Sequence, residues 1–189
     1  APVTATNPSA IQVAAGFKVE LVYTVPKGDQ GSWVAMALDP KGRILTSDQY
    51  GGIYRITLPP LGTTAGTKVE HLAIDFTKFT LPNAPAVEPD AAPKKEKAKA
   101  DTGPRLEVGA HGLLYAFDSL YVMVNEQRGK TGLWRVRSTK GDDQFDQVEF
   151  LRPMNGSGEH GTHALVLSPD GKSIYFANGN HTDLPKAME

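Results

Sequence analysis

The stretch 158–172, GEHGTHALVLSPDGK, sets two imidazoles, His160 and His163, three residues apart beside the carboxylate of Glu159. A neutral imidazole near pH 7 can accept a hydroxyl proton, so an inward-facing histidine next to Glu159 has the makings of a general base. The competing reading is a turn histidine hydrogen-bonded to backbone. Two residues three apart share a face only on a helix, and Gly161 disfavours one. In an extended segment the odd spacing sends them to opposite faces, so the pair is not expected to bind one metal together.

Other chemistry-bearing residues recur in three polar clusters, each following an apolar run: SDQYGG (47–52), NEQRGKTG (125–132) and NGNHTD (178–183). Asp48, Gln49, Asn125, Glu126, Gln127, Asn178, Asn180 and His181 are therefore candidates for one shared rim, with Glu159 and His163 beside them. Turn chemistry alone also favours Asp, Asn and Gly at such places. A fourth cluster, KGDDQFDQVE (140–149), groups Asp142, Asp143 and Asp146 as candidate oxygen ligands for Ca²⁺. It lacks the D-x-D-x-D-G order of an EF-hand loop, and a solvated hairpin turn is the competing reading. The GKT of RGKTG is not a phosphate loop, because Val124 occupies the place of the first required glycine.

These residues must be carried by short strands. WVAMALDPKGRILTSDQYGGIYRITL (33–58) reads as strand, Asp-Pro-Lys-Gly turn, strand, Tyr-Gly-Gly turn, strand. FKVELVYTV (17–25) alternates as a leading half-buried strand would, and VEHLAIDF (69–76) adds one more. The order recurs in HGLLYAFDSLYVMVNEQRGKTGLWRVR (111–137) and begins again in HALVLSPDGKSIYFANGN (163–180). Asp39, Asp118 and Asp170 mark equivalent turns, at intervals somewhat above the roughly 40–50 residues of a propeller blade once an insertion is removed. The expected fold is all-β: a partial β-propeller of about three four-stranded blades plus a leading strand, part of a larger ring. Residues 1–15 form an extension, 16–82 a first blade region and 105–189 further blades, with the ring incomplete. The insertion 83–104 is rich in Ala, Pro, Lys and Glu without an aromatic, so it is read as a solvated, disordered loop. Three blades do not close a ring, since propellers typically use about 4–8.

Bulk composition excludes several classes of partner and site. Lys and Arg total 20 against 21 Asp and Glu, which gives no long-range pull toward nucleic acid. No apolar run is long enough to span a bilayer. The first residues carry no export signal, which is expected to have been removed or never present. The absence of cysteine rules out disulfides, thiolate metal sites and covalent haem attachment within these residues.

WVAMALDPKGRILTSDQYGGIYRIT and GDDQFDQVEFLRPMNGSGEHGTHALVLSPDGKSIYFANGNHT resemble the propeller region of large exported planctomycete and verrucomicrobial proteins labelled membrane-bound dehydrogenases. That resemblance implies export to the periplasm or cell surface, and a c-type cytochrome region whose haem lies outside this chain. More distantly, residues 160–175 are similar to the catalytic-histidine blade of soluble quinoprotein glucose and sorbosone dehydrogenases. His160 and Leu165 hold that family's offset, SPDGK (168–172) stands for its turn, and Tyr175 follows. The resemblance implies that His160 takes the substrate hydroxyl proton, with pyrroloquinoline quinone and Ca²⁺ as cofactors and a sugar or alcohol as substrate. His163-Ala164 stands where that family carries Gly-Arg. The alternatives are a non-catalytic propeller binding glycan or protein, and a structural scaffold in a redox assembly. For these residues in isolation, without the remainder of the propeller or a partner chain supplying it, no turnover is expected.

Overall fold

A computed structural model describes residues 5–63, 65–80, 109–125 and 130–183. The insertion 83–104 and the candidates Glu126 and Gln127 lie outside these residues. The fold is all-β: the described residues form ten strands in three antiparallel sheets, a single helical turn at Lys27–Gln30 and two short 3-10 turns. The described helices are all too short to cross a membrane.

Sheet A is a meander of β1 (Trp33–Leu38), β2 (Ile44–Asp48), β3 (Ile53–Thr57) and β4 (Lys68–His71). Sheet B repeats it with β5 (Ala110–Ala116), β6 (Ser119–Val124), β7 (Gly132–Arg137) and β8 (Gln147–Pro153). Sheet C has two strands, β9 (Thr162–Leu167) and β10 (Ile174–Asn178). The first strands of successive sheets lie beside one another, β1 against β5 and β5 against β9.

Turn chemistry explains the hairpins. In Asp39-Pro40-Lys41-Gly42, Gly42 adopts φ 74° and donates its N–H to the Asp39 carbonyl at 2.9 Å, while Asp39 Oδ1 accepts from the Lys41 and Arg43 amides. Ser168-Pro169-Asp170-Gly171 repeats this, with Gly171 at φ 69°. The matching turn of sheet B is different. Phe117 and Asp118 both sit at positive φ, the two-residue form whose twist matches the flanking strands.

One core lies between sheets A and B. It joins Leu45, Ile53, Leu72 and Phe76 to Leu113, Leu120, Val122, Val124, Trp134, Val136, Val148 and Phe150. Trp134 is fully buried, stacked on Phe150 at 4.2 Å and met edge-on by Phe76 and Phe79. The segment carrying those two rings reaches Thr80, which pairs with the outer edge of β8: its N–H donates to the Val148 carbonyl and its own carbonyl accepts from Phe150, both at 3.1 Å. A smaller core between sheets B and C gathers Tyr121, Met123 and Leu165 with Leu114, Leu133 and Ile174. Two apolar faces stay exposed at the ends of this stack: Val34, Met36 and Leu38 on sheet A, and Val166 with Tyr175 on sheet C.

The leading strand expected at 17–25 is not one. Residues 17–25 run without regular ladder pairing, and Phe17 is 74% exposed. The Val22 carbonyl instead accepts from Thr67 Oγ, and Tyr23 stacks on Trp33 at 5.6 Å. Alternation marks a face that could be buried, but a strand also needs a neighbouring edge. Likewise, VEHLAIDF is strand only through His71, because Leu72 and Phe76 turn inward to fill the core.

Each sheet carries the same irregularity. A bulge interrupts the first strand near its start, between Trp33 and Ala35, between Ala110 and Gly112, and opposite Phe176–Asn178 in β9. The extra residue is Val34 in sheet A, His111 in sheet B, and falls within His163-Ala164 in sheet C. A bulge bends its strand and re-aims a side chain, and it is common at rims and beside functional sites.

Candidate functional site

Antiparallel register places the starts of β1, β5 and β9 and the ends of β2, β6 and β10 at one end of the stack. Asp48, Gln49, Asn125, Glu159, His160, His163, Asn178, Asn180 and His181 all lie at that end. Their roles differ.

Asn125 is 2% exposed and works as a clasp. Its Oδ1 accepts from the Thr162 amide at 3.1 Å, and its Nδ2 donates to the Gly158 carbonyl at 2.6 Å. Thr162 Oγ, fully buried, donates to the Val124 carbonyl at 2.8 Å. At the other junction the buried Ser47 Oγ donates to the Ala110 carbonyl at 2.8 Å. Each sheet is thus tied to the next by a hydroxyl bonded to a strand carbonyl, and such bonds hold only when buried partners are satisfied. Asp48 Oδ1 accepts from the Ser32 amide at 2.8 Å, and Gln49 Nε2 donates to the Tyr50 hydroxyl at 3.0 Å.

The loop held by Asn125 carries the histidines. Gly158–His160 forms a 3-10 turn, and its backbone meets the 178–183 segment through Gly179 N–H to Gly161 carbonyl and His181 N–H to His160 carbonyl. The rings of His160 and His181 meet at 5.1 Å and nearly perpendicular, both exposed. His163 Nε2 donates to the Glu159 carbonyl at 2.6 Å, the backbone-bonded state weighed for a turn histidine. A carbonyl can only accept, so Nε2 carries the proton and Nδ1 of the neutral ring keeps its lone pair. His111, which sequence reasoning passed over, brings its ring to 5.3 Å from that of His163. A signal for it exists: A-H-G-L-L at 110–114 and T-H-A-L-V at 162–166 are the same pattern.

The three aspartates lie elsewhere. The turn between β7 and β8 falls at the opposite end of the stack, beside the Asp39–Arg43 turn. There Asp143 is held by Lys41 Nζ at 2.6 Å and Arg43 at 3.1 Å, which keep its carboxyl below the ordinary aspartate range. Asp142 accepts from the Gln144 amide, and Asp146 from the amide and hydroxyl of Thr139, which lower its pKa. Ca²⁺ takes about six to eight oxygen ligands. Among the described residues no three His, Asp or Glu side chains converge to hold a metal, and these carboxylates are turned onto amides and cations. The residues present do not fit a Ca²⁺ cradle at 142–146, nor one at the histidine end, where the donors are largely imidazoles.

No family model matches the chain, and no curated protein matches it. A solved structure from Thermus thermophilus, described provisionally as an oxidoreductase (glucose dehydrogenase), aligns at 19% identity and a TM-score of 0.40. The alignment covers 78% of this chain, which spans 39% of that one.

Proposed function

We propose that the three sheets are blades of a β-propeller and that the histidine end is the funnel face of an exported oxidoreductase acting on a sugar or other alcohol. The observation that carries this reading is that one end of the stack holds the His160–His181 ring pair and His163, with Asn178 and Asn180 on the neighbouring segment and the 158–163 loop clamped by Asn125. The adjacency of β1, β5 and β9 supports the radial arrangement of blades. The sequence resemblance around residues 158–180 supports the reaction class. In this reading the amides orient a polyol, and His160 receives the hydroxyl proton as the alcohol carbon is oxidised. A quinone bound at this end would supply the two-electron sink, and a c-type cytochrome region would take the electrons onward. Ca²⁺, if the intact ring uses it, is held outside the 142–146 turn.

The test uses the natural full-length protein, reconstituted with pyrroloquinoline quinone and assayed by dye reduction over a panel of sugars and alcohols. The expected result is quinone-dependent turnover that falls at least a hundredfold in His160→Ala, with quinone binding retained. Absence of both quinone binding and turnover overturns the redox reading.

A further inference from the structure

We propose that His111 and His163 form a two-imidazole site for a divalent transition metal of the Zn²⁺ or Cu²⁺ kind, bridging sheets B and C at the rim. Both residues lie at the bulges of neighbouring first strands, so one backbone irregularity, used twice, brings the two rings together with their planes tilted 40°. The spacing matches coordination chemistry. A metal about 2.05 Å from an imidazole nitrogen sits about 3.2 Å from the ring centre, so two rings at a tetrahedral angle of about 109° lie about 5.2 Å apart. The observed separation is 5.3 Å.

The tautomer is also set as a ligand requires. Metal-binding histidines characteristically donate their other ring N–H to a carboxylate or backbone carbonyl, which fixes the ring and raises the basicity of the ligating nitrogen. The Glu159 carbonyl takes that proton from His163 Nε2 at 2.6 Å, leaving Nδ1 to bind. The loop that supplies this carbonyl is clamped by Asn125, so the outer partner of the ligand is itself held. Both rings are half-buried, which leaves room for water to complete the coordination. Imidazole donors suit Zn²⁺, Cu²⁺ and Ni²⁺, whereas Ca²⁺ prefers oxygen. Gly112 follows His111 because β5 runs against β9: a Cβ there would strike the His163 carbonyl. The close approach of β5 to β9 at Gly112 therefore holds the two bulged segments side by side. The site does not depend on the redox reading, since binding here requires neither quinone nor substrate.

The probe is the metal alone. Untagged, chelator-stripped full-length protein is titrated with Zn²⁺ against a chromophoric chelator, and with Cu²⁺ followed by electron paramagnetic resonance. The expected result is one tight equivalent, nitrogen hyperfine structure from two imidazoles, and affinity at least tenfold lower in both His111→Gln and His163→Gln. His71→Gln, on β4 in sheet A, should bind as the parent does. Circular dichroism and Zn²⁺-dependent thermal shifts on each variant separate loss of the site from loss of the fold. Affinity unchanged in both rim variants, or binding that is lost in His181→Ala and kept in His163→Gln, overturns the proposal.

Discussion

Replacing Asn125 by alanine should loosen the histidine loop and destabilise the whole stack. The substitution removes two hydrogen bonds, to the Thr162 amide at 3.1 Å and from Nδ2 to the Gly158 carbonyl at 2.6 Å. Each such bond contributes a net ~0.5–1.5 kcal/mol, and a buried donor left unpaired costs a further ~1–3 kcal/mol. Thr162 is fully buried, so its amide cannot turn to water, while Gly158 is half-buried and its carbonyl can. The sum is about 2–6 kcal/mol, or a fall in Tm of about 4–24 °C for a chain of this size. Thermal unfolding measures the total. Hydrogen exchange at residues 158–163 measures the part that matters for the site, and exchange there should accelerate more than in β6. A fall in Tm below about 2 °C, with exchange at Thr162 unchanged, would refute the assignment of Asn125 as the clasp.

Three further outcomes are expected. Glu149, buried and bonded to Arg135 at 2.7 and 2.9 Å, has its pKa lowered chiefly by those hydrogen bonds. Its contribution is therefore full above the unfolded value near 4.5 and is lost as pH falls through the lower folded value. Glu149→Gln should cost about 1–3 kcal/mol at pH 7 and flatten the stability profile below pH ~4.5 in denaturant titrations, whereas an unchanged acid limb would contradict it. Gly112→Ala sets a methyl against a strand carbonyl that cannot easily move, and should destabilise by about 1–3 kcal/mol in urea melts, an outcome that an unshifted midpoint would exclude. Met36, 70% exposed between Val34 and Leu38, should drive concentration-dependent association of the chain. Met36→Lys should shift its sedimentation toward monomer, and association undiminished in that variant would place the sticky surface elsewhere.

The meander was legible because each hairpin advertises itself. The Asp-Pro-Lys-Gly and Ser-Pro-Asp-Gly turns, and apolar runs such as LYVMV, lie where strand and turn chemistry put them. The leading strand was not, because alternation in 17–25 says nothing about which edge would accept it. The histidine geometry was legible in part. The odd-spacing argument assumed a continuous strand through His160 and His163, but His160 lies in a 3-10 turn and a bulge breaks the alternation beside His163. Asn125 carried no mark distinguishing it from its neighbours Glu126 and Gln127. Its burial against Thr162, 37 residues away, is a tertiary fact that local composition does not encode. The aspartates 142–146 looked like a ligand set only until Lys41 and Arg43, a hundred residues earlier, came beside Asp143.

Strand edges invite unwanted pairing, and the three sheets guard theirs unequally. The outer edge of β8 is blunted by the Thr80 strap and ends in Pro153, which has no N–H to offer. The edge of β4 carries the exposed charges of Lys68 and Glu70. The far edge of β10 has neither device: Tyr175 and Phe176 lie exposed along it, with no ladder partner among the described residues. Two strands added there would complete the four-stranded pattern of its neighbours, and where that edge stays open it offers a second copy of this chain a backbone to zip onto. Among the described residues, gatekeeping on two outer edges and none on the third gives growth by strand addition a preferred side.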